Sequence, residues 1–136
     1  MYVGHLDLLR YFQKVFRRAG VDIAYSQGFS PHQITSFAAP LGLGITSEGE
    51  YLDAEFNSIT TSKDMLERIN AATLTPYIKV TEFVVLREGA KKAMASVAGA
   101  DYYVTVPDKP ELKDSLAAHL ESFLAQKEIR ILKKTK

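Results

Sequence analysis

Hydrophobic residues recur at helical spacing near the start of the chain. Between Leu6 and Ala19 the apolar positions lie three or four residues apart: Leu8, Leu9, Phe12, Val15, Phe16 and Ala19. This spacing places them on one face of a helix, and Gly20 is typical of a helix C-terminus. Four basic residues fall on the opposite face: Arg10, Lys14, Arg17 and Arg18. The pattern predicts an amphipathic helix with an apolar face and a basic face.

Shorter patterns follow along the rest of the chain. Runs rich in β-branched and aromatic residues predict strands at 34–38, 51–56, 78–86, 102–106 and 129–132. Helical spacing predicts helices at 62–72, with Ser62 as N-cap, and at 110–126. Residues 90–99 are rich in small side chains and fit either a flexible link or a short helix.

The order of these elements indicates the fold class. Helix, strand, strand, helix, strand corresponds to a split βαββαβ unit that lacks its opening strand, whose end would be Tyr2 and Val3. We therefore predict an α+β protein with a ferredoxin-like unit in residues 1–88. Part of a second such unit, truncated, is predicted in residues 100–136, and both units would carry helices on one face of an antiparallel sheet.

Composition narrows the class of protein. The chain has 136 residues, 46% of them hydrophobic and 24% charged, which is typical of one globular domain or two small subdomains. It has no cysteine, so it cannot form a disulfide, a thiolate nucleophile or a cysteine-held iron–sulfur cluster. No apolar run approaches the ~20 residues of a membrane span. We expect a cytoplasmic protein that does not bind a membrane.

The net charge of +1 hides an uneven distribution. Residues 1–40 carry four basic and two acidic side chains, whereas residues 41–76 carry two basic and six acidic ones. The last ten residues hold five Lys or Arg and one Glu. The chain therefore has a basic start, an acidic middle and a basic end.

Several stretches resemble a known family. They are residues 4–10 (GHLDLLR), 16–20 (FRRAG), 25–32 (YSQGFSPH), 36–44 (SFAAPLGLG) and 47–53 (SEGEYLD). The chain is similar in them to the bacterial "radical SAM-linked" domain, of unknown function, which is fused or adjacent to B12-binding radical SAM proteins. The resemblance is dense over residues 2–76. The family's strand before Gly4 and its strands after Lys136 are missing, so we expect a fragment.

The resemblance implies an accessory or substrate-handling role rather than a reaction. Because the chain has no cysteine, radical SAM chemistry would belong to a partner polypeptide. Family members also occur near RNA-processing genes, which directs the substrate hypothesis toward RNA. The implied partners are thus a radical SAM protein and RNA.

The basic helix face is the first candidate site. Arg10, Lys14, Arg17 and Arg18 can contact successive phosphates. Nearby aromatic side chains can stack on unpaired bases: Tyr11, Tyr25 and Phe29. The alternative is a solvated helix face on which Asp7 pairs with Arg10.

The loop of residues 25–32 is the second candidate site. Gly28 allows a positive φ, and Ser26 and Ser30 offer hydroxyls and amides, so the loop can form an anion-binding nest beside Tyr25. It lacks the glycine–lysine pattern of a P-loop. The alternative is a packed turn whose Phe29 fills the core.

His5 and His32 are candidate catalytic residues, because histidine titrates near neutral pH. One as base and the other as acid, with Tyr25, would suffice for metal-independent RNA cleavage. The alternative is that His5 caps the helix and His32 bonds to the backbone. His5, Asp7 and His32 have no recognised metal-ligand spacing, so we predict no metal and no cofactor.

These observations leave three hypotheses for function. The leading one is a non-enzymatic module that binds RNA or another phosphate-rich ligand for a radical SAM partner. The second is an RNA-processing enzyme that uses His5 and His32. The third is a protein-docking domain whose acidic middle meets a basic partner: Glu48, Glu50, Asp53 and Glu55.

Overall fold

The structure is a computed structural model that describes residues 3–105 and 109–132. The chain divides into two compact units, Met1–Gly99 and Ala100–Lys136. The first unit contains α1 (His5–Ala19), β1 (Thr35–Phe37), β2 (Leu52–Ala54), α2 (Ser62–Ala71) and the single turn α3 (Ala93–Ser96). The second contains α4 (Pro110–Leu124). The protein therefore belongs to a mixed helix-and-strand class, and the domain limits 1–88 and 100–136 stay predictions.

Helix α1 confirms the amphipathic pattern at the start of the chain. It begins after Gly4, whose carbonyl accepts hydrogen bonds from the Asp7 and Leu8 N–H groups. It ends at Gly20, which adopts the left-handed conformation (φ 62°) that favours glycine at a helix C-terminus. Its apolar face packs into the core, where Val15 is completely buried.

A small antiparallel sheet lies beside α1. Thr35, Ser36 and Phe37 of β1 pair with Ala54, Asp53 and Leu52 of β2. Residues 22–25 join this pair through two isolated antiparallel bridges, Ile23 with Phe56 and Tyr25 with Gln33. The backbone of Glu55 links the segments, since its N–H donates to Ile34 and its carbonyl accepts from Ala24.

Helix α2 packs against α1 and completes the core. Thr61 is its N-cap, one residue before the predicted Ser62, because the Thr61 hydroxyl accepts the Asp64 N–H at 3.1 Å. Met65 and Ile69 point inward and are almost completely buried. They contact the apolar side chains of α1 and Phe37 of β1 in one core cluster.

The C-terminal ends of α1 and α2 are joined by two arginines. Arg68 of α2 donates to the carbonyls of Ala19 (3.0 Å) and Gly20 (2.6 Å) at the end of α1. In return, Arg18 of α1 donates from Nε to the carbonyl of Ala72, which follows α2 (3.0 Å). Each helix thus supplies a cation to the other's unsatisfied carbonyls, at the end where the helix dipole favours positive charge.

Three predicted strands are absent from the described residues. Residues 78–86, 102–105 and 129–132 adopt no regular structure, and residue 106 lies outside the described chain. Ile78, Val80 and Phe83 still pack against the core, but among the described residues the Val80 backbone bonds only to the side-chain amide of Asn70. A strand needs a paired neighbour as well as β-favouring residues. The described sheet has two strands, and the ferredoxin-like arrangement is not confirmed.

Among the described residues of the second unit, α4 is the regular element, and residues 100–105 and 125–132 form neither helix nor strand. Pro110 occupies its first turn, and the helix ends two residues before the predicted limit. Its leucines and Phe123 are each at least 43% exposed: Leu112, Leu116, Leu120, Phe123 and Leu124. Among residues 3–105 and 109–132, no helix is long and apolar enough to cross a membrane.

The carboxylate of Asp22 links the segment that follows α1 to the segment that follows β2. It accepts hydrogen bonds from the side chains of Asn57 (2.9 Å) and Ser58 (2.8 Å). These bonds favour the ionised form and lower the pKa of Asp22 below its ordinary value of 3.8, with Asn57 as the larger cause.

Removing the guanidinium of Arg68 should loosen the contact between the helix ends. We expect Arg68→Ala to lower the free energy of unfolding by about 1–2 kcal/mol, because the Ala19 and Gly20 carbonyls lose a charged donor. Urea unfolding followed by circular dichroism measures this. Lys63→Ala on the outer face of α2 is the control and should change little. Equal stability of Arg68→Ala and the wild type would contradict this role.

The hydrogen bonds that Asp22 accepts from Asn57 and Ser58 should make the stability of the fold depend on pH in the acid range. Because its pKa is lower in the folded than in the unfolded state, its contribution is complete above pH 3.8 and disappears as the pH falls through the folded value. The stability gap between wild type and Asp22→Asn should therefore shrink on acidification. A gap that stays constant between neutral pH and pH 2.5 would show that these hydrogen bonds do not favour the ionised form.

Candidate phosphate-binding surface

The outer face of α1 is a basic surface exposed to solvent. Arg10, Lys14 and Arg17 are all exposed, while the opposite side of the same helix forms the core. Arg10 makes a long contact of 3.5 Å with Asp7, and both side chains remain about two-thirds exposed. An exposed pair of this kind contributes little stability and leaves the guanidinium accessible. We call Arg10, Lys14 and Arg17 the basic face.

Arg18 is exposed as well, but its guanidinium also bonds to the chain after α2. Its Nε donates to Ala72, and together with Arg68 it lines an open surface depression of about 530 Å³ between the ends of α1 and α2. Tyr11 also faces α2, since its hydroxyl accepts the Leu74 N–H at 3.1 Å. Both residues therefore contact the α2 side of the fold, and their predicted contacts with phosphate and base stay predictions.

The loop of residues 25–32 is closed at its base by Ser26 and His32. The Ser26 N–H donates to the His32 carbonyl (2.8 Å), and the His32 N–H donates to the Ser26 hydroxyl (3.1 Å). The same hydroxyl lies 2.9 Å from Nδ1 of the His32 ring. Since the hydroxyl already accepts one hydrogen bond, it can donate its proton to Nδ1. Both predicted polar residues are therefore used to hold the loop closed.

Phe29 forms the tip of this loop and does not fill the core, so that alternative is wrong. Its relative exposure is 112%, and the neighbouring Gly28 takes a positive φ of 115° that glycine readily adopts. Ser30 is exposed, and its carbonyl lies 3.4 Å from the His32 ring. Tyr25, at the base of the loop, is 45% exposed.

Gln33 connects the loop to α1, and its role was missed in the sequence. The side chain is 5% exposed, and its Nε2 donates to the Gln13 carbonyl (3.1 Å) and to the Tyr25 hydroxyl (3.3 Å). Its Oε1 is buried and has no hydrogen-bond partner among the described residues. The available signal was a polar residue in phase with Thr35 and Phe37 on the core-facing side of a strand.

The structure separates the two histidines proposed for catalysis. The His5 ring packs edge-on against Phe37 at 5.5 Å between centroids, whereas His32 directly precedes Gln33. Extended chain between residues 33 and 37 spans about 13 Å, so the histidines lie at opposite ends of β1. Within the described chain, no group of three or more His, Asp or Glu residues is arranged to hold a metal ion.

The acidic middle of the chain does not form a compact site either. Glu48, Glu50 and Glu55 are exposed. Asp53 accepts the backbone N–H of Ala93 at 2.7 Å, which positions the start of α3. One of the four carboxylates therefore serves the fold, and the others point to solvent.

A family model described as an uncharacterised protein conserved in bacteria matches residues 1–136. No curated protein and no solved structure matches the chain.

Two substitutions of Gln33 distinguish the contribution of its hydrogen bonds to stability from the contribution of its size. Gln33→Leu removes both donors together with the unpaired Oε1, so we expect a stability change below about 1 kcal/mol. Gln33→Glu places a carboxylate against the Gln13 carbonyl and should cost more than about 2 kcal/mol. Urea unfolding at neutral pH compares the two. Equal stability of the two variants would show that Gln33 does not donate to these oxygens.

Proposed function

The chain belongs to DUF2344, an uncharacterised family conserved in bacteria, and we propose that it is a binding module for a phosphate-rich ligand, in particular RNA. Arg10, Lys14 and Arg17 contact the phosphates, and the loop of residues 25–32 borders the site. The observation that carries this proposal is the exposure of three cations on one face of a helix whose opposite face is the core.

Anchoring of α1 supports the proposal, because it reduces the entropic cost of binding. Phe12, Val15 and Phe16 are buried, so the backbone that carries the three cations is fixed before a ligand arrives. Arg10 and Arg17 are two helical turns apart, which corresponds to about 10 Å along the axis. Lys14 lies between them. The face therefore offers a row of cations to a ligand with repeated negative charges.

The anchoring of α1 does not require the complete ferredoxin-like sheet, which remains a prediction from the sequence. Phe37 of β1 contacts the rings of His5 and Phe12, Gln33 bonds to Gln13, and α2 packs on the same core, so these described elements already hold the helix. We propose, in addition, that the module acts beside a radical SAM protein, the partner that the family resemblance implies. The module would hold the ligand, and the partner would carry the chemistry.

The two other hypotheses receive less support. An RNA-processing enzyme would need His5 and His32 to approach one bond, but they lie at opposite ends of β1. A docking surface on the acidic middle would use Asp53, whose carboxylate already bonds to Ala93. Neither hypothesis explains the three exposed cations on α1.

Reversing charge on the basic face should weaken binding. The double variant Lys14→Glu, Arg17→Glu should bind a labelled RNA about tenfold more weakly or worse, and the slope of log affinity against log salt should fall by about 1.5. Arg18 is left unchanged because it also bonds to Ala72. Fluorescence anisotropy across a salt series measures both quantities.

The matched control is Lys63→Glu, Lys79→Glu, which changes the net charge equally at two exposed lysines away from α1. It should retain most of the affinity. If both double variants lose affinity equally, only the net charge matters and the assignment to α1 fails. Unchanged binding in the α1 variant would also refute it.

A further inference from the structure

The exposed aromatic tip of the loop has no role in the core. Phe29 stands at the apex of residues 25–32, and its relative exposure of 112% means that it packs on nothing within the described chain. The base of the loop is held by Ser26 and His32 through backbone and side-chain hydrogen bonds of 2.8–3.1 Å. The loop therefore exposes a large aromatic ring to solvent, while hydrogen bonds between Ser26 and His32 hold its base closed.

The base of the loop is tied to the flank of the basic face. Gln33 bonds both to the Tyr25 hydroxyl and to the Gln13 carbonyl of α1. At 100° per residue, Gln13 lies roughly 40° around the helix from Arg17 and roughly 60° from Arg10. Two aromatic residues, Tyr25 and Phe29, thus belong to a loop fastened next to the row of cations.

We infer that the surface binds single-stranded nucleic acid, with an unpaired base stacked on Phe29 and the phosphates on Arg10, Lys14 and Arg17. This inference rests on the proposed function and names its ligand more closely. In a duplex the faces of the bases are covered by stacking, whereas a single strand exposes them to an aromatic side chain. Base stacking is tolerant of sequence, so no sequence preference is expected.

The neighbouring charges favour nucleic acid over a protein partner. The core of a protein interface is mostly apolar and depleted of charged residues other than Arg, so a phenylalanine at its centre lies among apolar neighbours. Here the tip residues around Phe29 are Gln27, Gly28 and Ser30, and the adjacent helix face is cationic. An aromatic ring beside a row of cations is the combination used to bind single strands.

The test compares three ligands with the full chain: a labelled single-stranded RNA of mixed sequence, a duplex of the same length, and heparin. The wild type should bind the single strand more tightly than the duplex at equal salt. Phe29→Ala should weaken binding of the single strand about tenfold, as expected for the loss of one stacked base, and should leave heparin binding unchanged. Phe29→Tyr keeps an aromatic face and should retain the affinity.

A control variant, Tyr103→Ala, and the α1 double variant distinguish failure of the stacking inference from failure of the proposed function. Tyr103→Ala removes an equally exposed aromatic ring from the other unit and should have no effect. If Lys14→Glu, Arg17→Glu weakens all three ligands but Phe29→Ala changes none, the stacking inference is wrong and the phosphate surface stands. If the α1 variant also changes nothing, both are wrong. Equal affinity for single strand and duplex, or an equal loss of heparin binding in Phe29→Ala, would overturn the inference as well.

Discussion

Burial of one face of α1 is the contact on which the rest of the first unit depends. Val15 is completely buried, and Phe12 and Phe16 pack with it against β1 and α2 in the central cluster. Because α1 is amphipathic, this burial also decides what its outer face does. The same rotation that places Phe12 on Phe37 turns Arg10, Lys14 and Arg17 toward solvent. Core packing and the cationic surface are therefore two consequences of one helix orientation.

Gln33 extends this arrangement from the helix to the loop. Its Nε2 donates to the Gln13 carbonyl of α1 and to the Tyr25 hydroxyl. Because the same side chain buries its Oε1 without a partner among the described residues, the two contacts come with a desolvation cost. Thr35, the first residue of β1, also has a buried hydroxyl oxygen that bonds to nothing in the described part of the chain. Burying these two oxygens without a hydrogen-bond partner costs free energy. In return, the loop that bears Phe29 is held beside the basic face.

The sequence predicted what depends on local spacing. The extent of α1 and its end at Gly20 follow from a strong helical period and one glycine, and both are confirmed. Arg18 fits the same period as Arg17, but its bond to Ala72 depends on how α2 packs, which spacing within one helix does not reveal. Residues 78–86 have strand-forming composition but no paired neighbour among the described residues, so propensity alone gave a wrong assignment. Gln33 was missed because it precedes the predicted strand 34–38, where a single polar residue resembles many exposed ones.

The most direct test of the account is a titration of the full, ¹⁵N-labelled chain with a short single-stranded RNA, followed by the amide resonances. The account predicts that the largest shifts fall on residues 10–17 of α1 and on the loop of residues 25–32, and that they disappear as salt is raised. Shifts confined to the acidic residues 48–55 or to α4, with none on α1, would contradict it.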